Sequence, residues 1–251
     1  MLTSRRGHAP SHDGVNFRPT ILHANKNEWP RFAADSIDRA VRSVLNERRT
    51  CSLMLTGGRS AALVYAEWAS SGRFPPQGTI LFFGDERCVE PDHGDSNYGL
   101  TVRTLFPNGL PREIEIHRME GERDDLEIAA RDYEACFPRT IDILLLGLGS
   151  DGHIASLFPG SSAFSKTDRL VVPVTDSLGT HNRLTITPSV VNSARNIFLL
   201  APGEEKGLVL ARALQTEDDA SSFPVCLTLR GTWLLDASAL PHVQAALDGR
   251  V

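Results

Sequence analysis

Ser52-Leu53-Met54-Leu55-Thr56-Gly57-Gly58-Arg59-Ser60 is the stretch that decides the fold, because a short apolar run stops abruptly at a glycine pair. From Ser60 to Ser71 the apolar residues Leu63, Val64 and Trp68 recur at helical spacing. The stretch therefore predicts a strand, a glycine turn and a helix. Upstream, Phe32, Ile37, Val41, Val44 and Leu45 mark an amphipathic helix over residues 29–48. Downstream, apolar strands are expected at 79–83, 141–146, 169–174 and 196–200, separated by helices at 97–106, 123–136 and 204–214. Near-continuous apolar strands are buried on both faces, and parallel neighbours need crossover connections, which are nearly always right-handed. The expected fold class is α/β, a single doubly wound, mainly parallel sheet with helices on both faces. No repeat, low-complexity tract or linker divides the 251 residues. Residues 19–251 are thus expected to form one domain, behind a polar, loosely held arm at residues 1–18.

Composition narrows the function classes. With 41% hydrophobic and 23% charged residues the chain is neither disordered, collagenous nor a disulfide scaffold. Twenty-six basic against thirty-one acidic residues give a net charge of −5 without a dense basic cluster, so nucleic acid is not the expected partner. No apolar run approaches the ~20 residues that span a bilayer. Arg5 and Arg6 are followed by Gly7-His8-Ala9-Pro10-Ser11-His12, where an export signal needs an apolar stretch. Cys51, Cys88, Cys136 and Cys226 form no CxxC pair, and reduced thiols in a cytoplasmic protein fit best. No membrane partner is expected.

In a doubly wound sheet, ligands bind where loops leave the carboxyl ends of the strands. Three such loops stand out: Thr56-Gly57-Gly58-Arg59-Ser60, Gly84-Asp85-Glu86-Arg87 and Gly147-Leu148-Gly149-Ser150-Asp151-Gly152-His153. The third contains a literal GxGxxG, yet Pro159 and Gly160 arrive too soon for the long helix a dinucleotide site requires, and Asp168 precedes the next strand instead of ending it. A tight turn that offers backbone N–H groups to a ligand, with Asp151, Gly152 and His153 at its mouth, is the better reading. His153 is the candidate base, since imidazole exchanges protons near neutral pH; the plainer alternative is a capping or core histidine. Arg87 is suited to hold a phosphate or carboxylate, its plainer role being a solvated ion pair with Glu86. Gly57 and Gly58, ahead of a helix, form a candidate oxyanion cradle, and Lys206 offers a compact positive charge at another helix start. The nucleophile elbow GxSxG is absent. Asp92, His93 and Asp95 lack a second His/Cys set and are read as a polar loop, so no metal is expected.

Three segments carry a family resemblance: Phe83-Gly84-Asp85-Glu86-Arg87-Cys88-Val89, Asp95-Ser96-Asn97-Tyr98, and residues 146–160 from Leu146-Gly147-Leu148-Gly149 through His153 to Pro159-Gly160. Together they resemble the 6-phosphogluconolactonase family, grouped with glucosamine-6-phosphate deaminases and ribose-5-phosphate isomerases, over residues 25–240. Arg87 after Asp85-Glu86, and Ala155-Ser156-Leu157-Phe158 after His153, look like the lactonase branch. The resemblance implies a sugar-phosphate isomerase-like Rossmann variant that hydrolyses 6-phospho-D-glucono-1,5-lactone in the oxidative pentose phosphate pathway. The partner is then a small phosphosugar lactone, no cofactor is needed, and the family's usual state is a monomer. His153 is implied to activate water and Asp85 to assist proton handling. Arg87, Arg183 and Lys206 hold the phosphate with Gly57-Gly58, and Asn97 lines the sugar site. The family's usual Ser-Gly-Gly-Ser-Thr-Pro is replaced by Thr56-Gly57-Gly58-Arg59-Ser60-Ala61, and Arg59 is expected to add a further cation at the phosphate. The competing readings are an amino-sugar phosphate deaminase or isomerase, and an idle sugar-phosphate binder.

Overall fold

In the computed structural model the described residues are 18–72, 75–175, 182–216 and 219–249, so the arm expected at 1–18 lies almost wholly outside them. The chain runs β1 (Thr20–Ala24), α1 (Trp29–Glu47), β2 (Cys51–Leu55), α2 (Gly58–Ser70), β3 (Thr79–Phe83), β4 (Asp85–Arg87), α3 (Asn97–Leu105), β5 (Glu115–Ile116) and α4 (Leu126–Ala135). It continues through β6 (Ile143–Gly147), β7 (Val171–Thr175), β8 (Asn182–Ile186), α5 (Pro188–Ser193), β9 (Asn196–Ala201), α6 (Glu204–Gln215), β10 (Thr232–Asp236) and α7 (Leu240–Leu247). Seven strands form one parallel sheet in the order β1-β10-β9-β6-β2-β3-β5.

Alternation along the strands divides the core between two faces. Leu53, Leu55, Leu81, Phe83, Ile143 and Leu145 point to the side covered by α1, α2 and α3. Met54, Phe82, Leu144 and Leu146 point to the other, against Ala130 and Tyr133 of α4 and Leu210 of α6. From β2 the chain winds outward through β3 to β5, and from β6 it winds the opposite way through β9 to β10. The neighbours β2 and β6 therefore define the topological switch point.

The segment expected as a sheet strand at 169–174 has a different place. It forms β7, the edge of a separate antiparallel sheet ordered β4-β8-β7. Pro173 lacks an N–H and suits such an edge. Strands β1, β5, β8 and β10 and helices α5 and α7 were not anticipated, and Asp85–Arg87, expected as a loop, forms strand β4. The two sheets meet at Gly84, whose N–H donates to the Leu55 carbonyl at 2.9 Å while its own carbonyl accepts from the Ile186 N–H at 2.9 Å. A second fastening is Glu134 on α4, whose carboxylate accepts the N–H groups of Leu170 (2.7 Å) and Val171 (2.8 Å) and pairs with Arg169. Leu148 to Ser161 form no helix, as the Pro159-Gly160 pair predicts. All four cysteines are free, and no described helix is long and apolar enough to cross a membrane.

Candidate active site

A cleft of about 550 Å³ opens at the carboxyl ends of β2 and β6, walled by the head of α2, the β3–β4 corner, the loop after β6 and the head of α6. Strands that diverge at a switch point leave such a crevice without any special device.

His153 stands at the end of the glycine loop with its ring at the cleft. Its Nδ1 lies 2.5 Å from Asp151 Oδ1, and the same oxygen accepts the His153 backbone N–H at 3.1 Å. A carboxylate on Nδ1 selects the tautomer with the proton there, which leaves the Nε2 lone pair as the basic site. The glycines make the geometry available: a Cβ at Gly149 would lie 2.1 Å from His153 Nδ1, and one at Gly152, where φ is +86°, would strike the Phe223 ring at 2.2 Å. The Gly152 carbonyl accepts the Val225 N–H at 2.9 Å, fixing the loop from below. Phe158 packs against the imidazole with ring centroids 4.8 Å apart.

Asp85 is buried at the β3–β4 corner of the cleft. Its Oδ2 accepts from the Ser156 hydroxyl at 2.6 Å and its Oδ1 from the Asn97 amide at 3.1 Å. The Asn97 amide also donates to the Asp85 carbonyl at 2.9 Å, which directs its Oδ1 toward Gly57, where that buried oxygen has no hydrogen-bond partner. Ala155, with φ +48°, is the described non-glycine residue in left-handed backbone; it lines the cleft and turns Ser156 inward. Glu86 does not form the ion pair with Arg87 considered above. Its buried carboxylate accepts the backbone N–H groups of Arg87, Asn97 and Tyr98 and the Ser96 hydroxyl, and so caps α3. Burial pushes its pKa above the ordinary carboxylate value, and these four hydrogen bonds hold the rise in check.

Four cations border the cleft: Arg59, Arg87, Arg183 and Lys206. Arg87 and Arg183 are direct cross-strand partners on β4 and β8. Like charges opposite one another in a ladder repel, an arrangement that an anion between them relieves. The Lys206 ammonium donates to the Ser60 hydroxyl at 2.9 Å, and burial, reinforced by the Arg59 charge, pulls its pKa down to about 8. Asp236, at the end of β10, accepts the Gly203 N–H at 3.0 Å and thereby sets the start of α6 that carries Lys206.

The structure brings His153, Asp85, Gly57, Gly58, Arg59, Arg87, Asn97, Arg183 and Lys206 to one cleft. Asp151 and Gly152, expected against the substrate, are not on its wall. Asp151 touches the imidazole, and Gly152 shapes the turn. Sequence reasoning missed Ser156, which lay inside a quoted motif without a role, because its bond to Asp85 joins residues 71 apart.

A family profile described as glucosamine-6-phosphate isomerases/6-phosphogluconolactonase matches residues 24–234. The chain belongs to this family. Within it, the chain is 33% identical to the 6-phosphogluconolactonase of Rattus norvegicus, covering 80% of this chain and 84% of that one. It is 32% identical to the Synechocystis 6-phosphogluconolactonase, over 86% and 94% respectively. Among solved structures, 6-phosphogluconolactonase from Trypanosoma cruzi superposes with a TM-score of 0.77 at 26% identity, covering 92% of this chain and 98% of that one. A monomeric glucosamine-6-phosphate deaminase shares the fold, with a TM-score of 0.74 at 21% identity over 89% and 99% of the two chains.

Proposed function

We propose that this chain hydrolyses 6-phospho-D-glucono-1,5-lactone to 6-phospho-D-gluconate, the lactone-opening step of the oxidative pentose phosphate pathway, with residues 19–251 acting as one cytoplasmic, monomeric domain. The observation that carries the reading is the Asp151–His153 pair facing a cleft bordered by four cations. The names of the relatives support the substrate.

Arg87, Arg183, Lys206 and Arg59 hold the phosphate with the N–H groups at the head of α2, while Asn97 Oδ1 accepts from a sugar hydroxyl. His153 Nε2 takes a proton from water as the water oxygen bonds to the lactone carbonyl carbon. The tetrahedral intermediate then collapses, the bond from that carbon to the ring oxygen breaks, and the imidazolium returns its proton to that oxygen. Asp85 stabilises the positive charge that develops and assists proton handling. A lactone is an activated ester, so positioning plus one base, worth about 10²–10⁴-fold, and one oxyanion donor, worth about 10²–10³-fold, suffice. The scheme asks for neither cofactor nor metal.

The test is hydrolysis of freshly generated lactone near neutral pH, coupled to 6-phosphogluconate dehydrogenase and corrected for spontaneous opening. Clear acceleration sustains the proposal. Ammonia release from glucosamine 6-phosphate without lactone turnover, or phosphosugar binding with no turnover, overturns it in favour of the deaminase or the idle binder.

A further inference from the structure

Two buried tyrosines share an arrangement that the reaction scheme does not use. Tyr65 on α2 accepts the Thr56 N–H at 3.1 Å and donates to the Thr56 carbonyl at 2.8 Å. Tyr133 on α4 accepts the Phe83 N–H at 2.7 Å and donates to the Phe83 carbonyl at 3.0 Å. In each case one hydroxyl closes both backbone groups of one residue.

Strand geometry explains why these two residues need it. The Leu55 carbonyl bonds to Gly84 on the β3 side, so the backbone groups of Thr56, one residue on, face β6. The β2–β6 register pairs Leu53 with Ile143 and Met54 with Leu144 and goes no further, because the strands part at the switch point. By the same parity Phe83 faces β5, whose pairing with β3 stops at Leu81–Ile116. Both residues lose a strand neighbour at a fully buried position, where an unpaired backbone group is costly. Burial also raises both phenol pKa values, so each hydroxyl stays protonated and able to donate.

Their places matter because Thr56 immediately precedes Gly57-Gly58, while Phe83 lies two residues before Asp85. We propose that Tyr65 and Tyr133 are positioning residues with separate duties in the hydrolysis: Tyr65 sets the substrate-holding glycine turn and Tyr133 sets the Asp85 corner. The inference rests on the lactonase reading and extends it to how the cleft keeps its shape. Because misplacement of about 1 Å can cost up to ~10²-fold, loss of either hydroxyl reaches the kinetics.

The experiment compares Tyr65→Phe, Tyr133→Phe and Val41→Ala, the last a core truncation on α1 away from the cleft, by thermal melting, steady-state lactone hydrolysis and calorimetric binding of 6-phosphogluconate. Tyr65→Phe is expected to raise KM and the 6-phosphogluconate Kd by about tenfold with a smaller change in kcat. Tyr133→Phe is expected to lower kcat by about tenfold with KM nearly kept. Val41→Ala lowers the melting temperature and leaves both constants in place. Kinetic constants within twofold of wild type in both tyrosine variants, or the same pattern in all three proteins, overturn the proposal. Should a variant not fold, amide hydrogen exchange in the wild type decides: protection at Thr56 and Phe83 equal to that of Leu55 sustains the clamps, and free exchange there overturns them. Wild-type protein that leaves the lactone untouched sinks the lactonase reading instead, and the exchange and 6-phosphogluconate binding measurements still judge the tyrosines.

Discussion

Asp142 and Asp85 are equally buried, each 6% exposed, yet they sit at opposite edges of the central sheet and are used in opposite ways. At the amino edge, Asp142 accepts the Ser52 N–H at 3.0 Å, the Ser52 hydroxyl at 3.0 Å and Arg48 at 2.8 Å, with Arg195 at 3.3 Å. Its acceptor capacity is filled by the protein, and it ties β2 to β6. At the carboxyl edge, Asp85 accepts from Ser156 and Asn97 and keeps acceptor capacity directed at the cleft. Around it, Asn97 Oδ1 and Arg87 Nε are buried without hydrogen-bond partners among the described residues. A buried charge enclosed by donors maintains the fold, whereas groups left short of partners at a crevice await a ligand.

The sharpest support for this contrast is His153→Ala, which should lower kcat by about 10³-fold while 6-phosphogluconate still binds, as calorimetry and single-turnover rates would establish. The next test sets the two aspartates against each other. Asp85→Asn should cost about 10²-fold in kcat with little change in melting. Asp142→Asn should leave kcat of the folded enzyme unchanged but lose about 2 kcal/mol of stability in urea titration, a modest figure because Arg48 and Arg195 are half exposed and resolvate. Equal kinetic damage from both would erase the distinction. Gly57→Ala should reduce kcat/KM by ~10-fold or more, since the added methyl would lie 1.7 Å from Asn97 Oδ1 and displace it. The smallest effect is electrostatic. Lys206 is cationic below its pKa of about 8 and neutral above it, so 6-phosphogluconate affinity should fall several-fold between pH 7 and 9. Arg59→Ala, by removing a repelling charge, should move that fall to higher pH.

Much of this was legible in the sequence where the signal is local. Leu53-Met54-Leu55 and Ile143-Leu144-Leu145-Leu146 announce buried strands because every position is apolar, and the glycines that follow mark the loops that meet at the switch point. What escaped depends on pairing between distant segments. The apolar run Val171-Val172-Pro173-Val174 has the composition of a core strand, and only its ladder with β8 assigns it to the small sheet. Pro173 was the available clue. Strand β8 reads Asn182-Arg183-Leu184-Thr185-Ile186, too polar at its start to stand out. The adjacency of Arg87 and Arg183 joins positions 96 apart in the chain and has no local signature. Tyr65 and Tyr133 have no local signature, since what sets them apart is one oxygen atom each, bonded to a residue 9 or 50 positions away.

The small sheet carries both Arg87 and Arg183 and is fixed to the body of the molecule at Gly84 and Glu134. For an engineer it is an adjustable bracket, with the guanidinium pair as its tool and the α4 carboxylate as its set screw. Glu134→Asp would draw that mount back by one methylene, acting on the sheet from behind the arginine pair and leaving every cleft-lining residue unchanged.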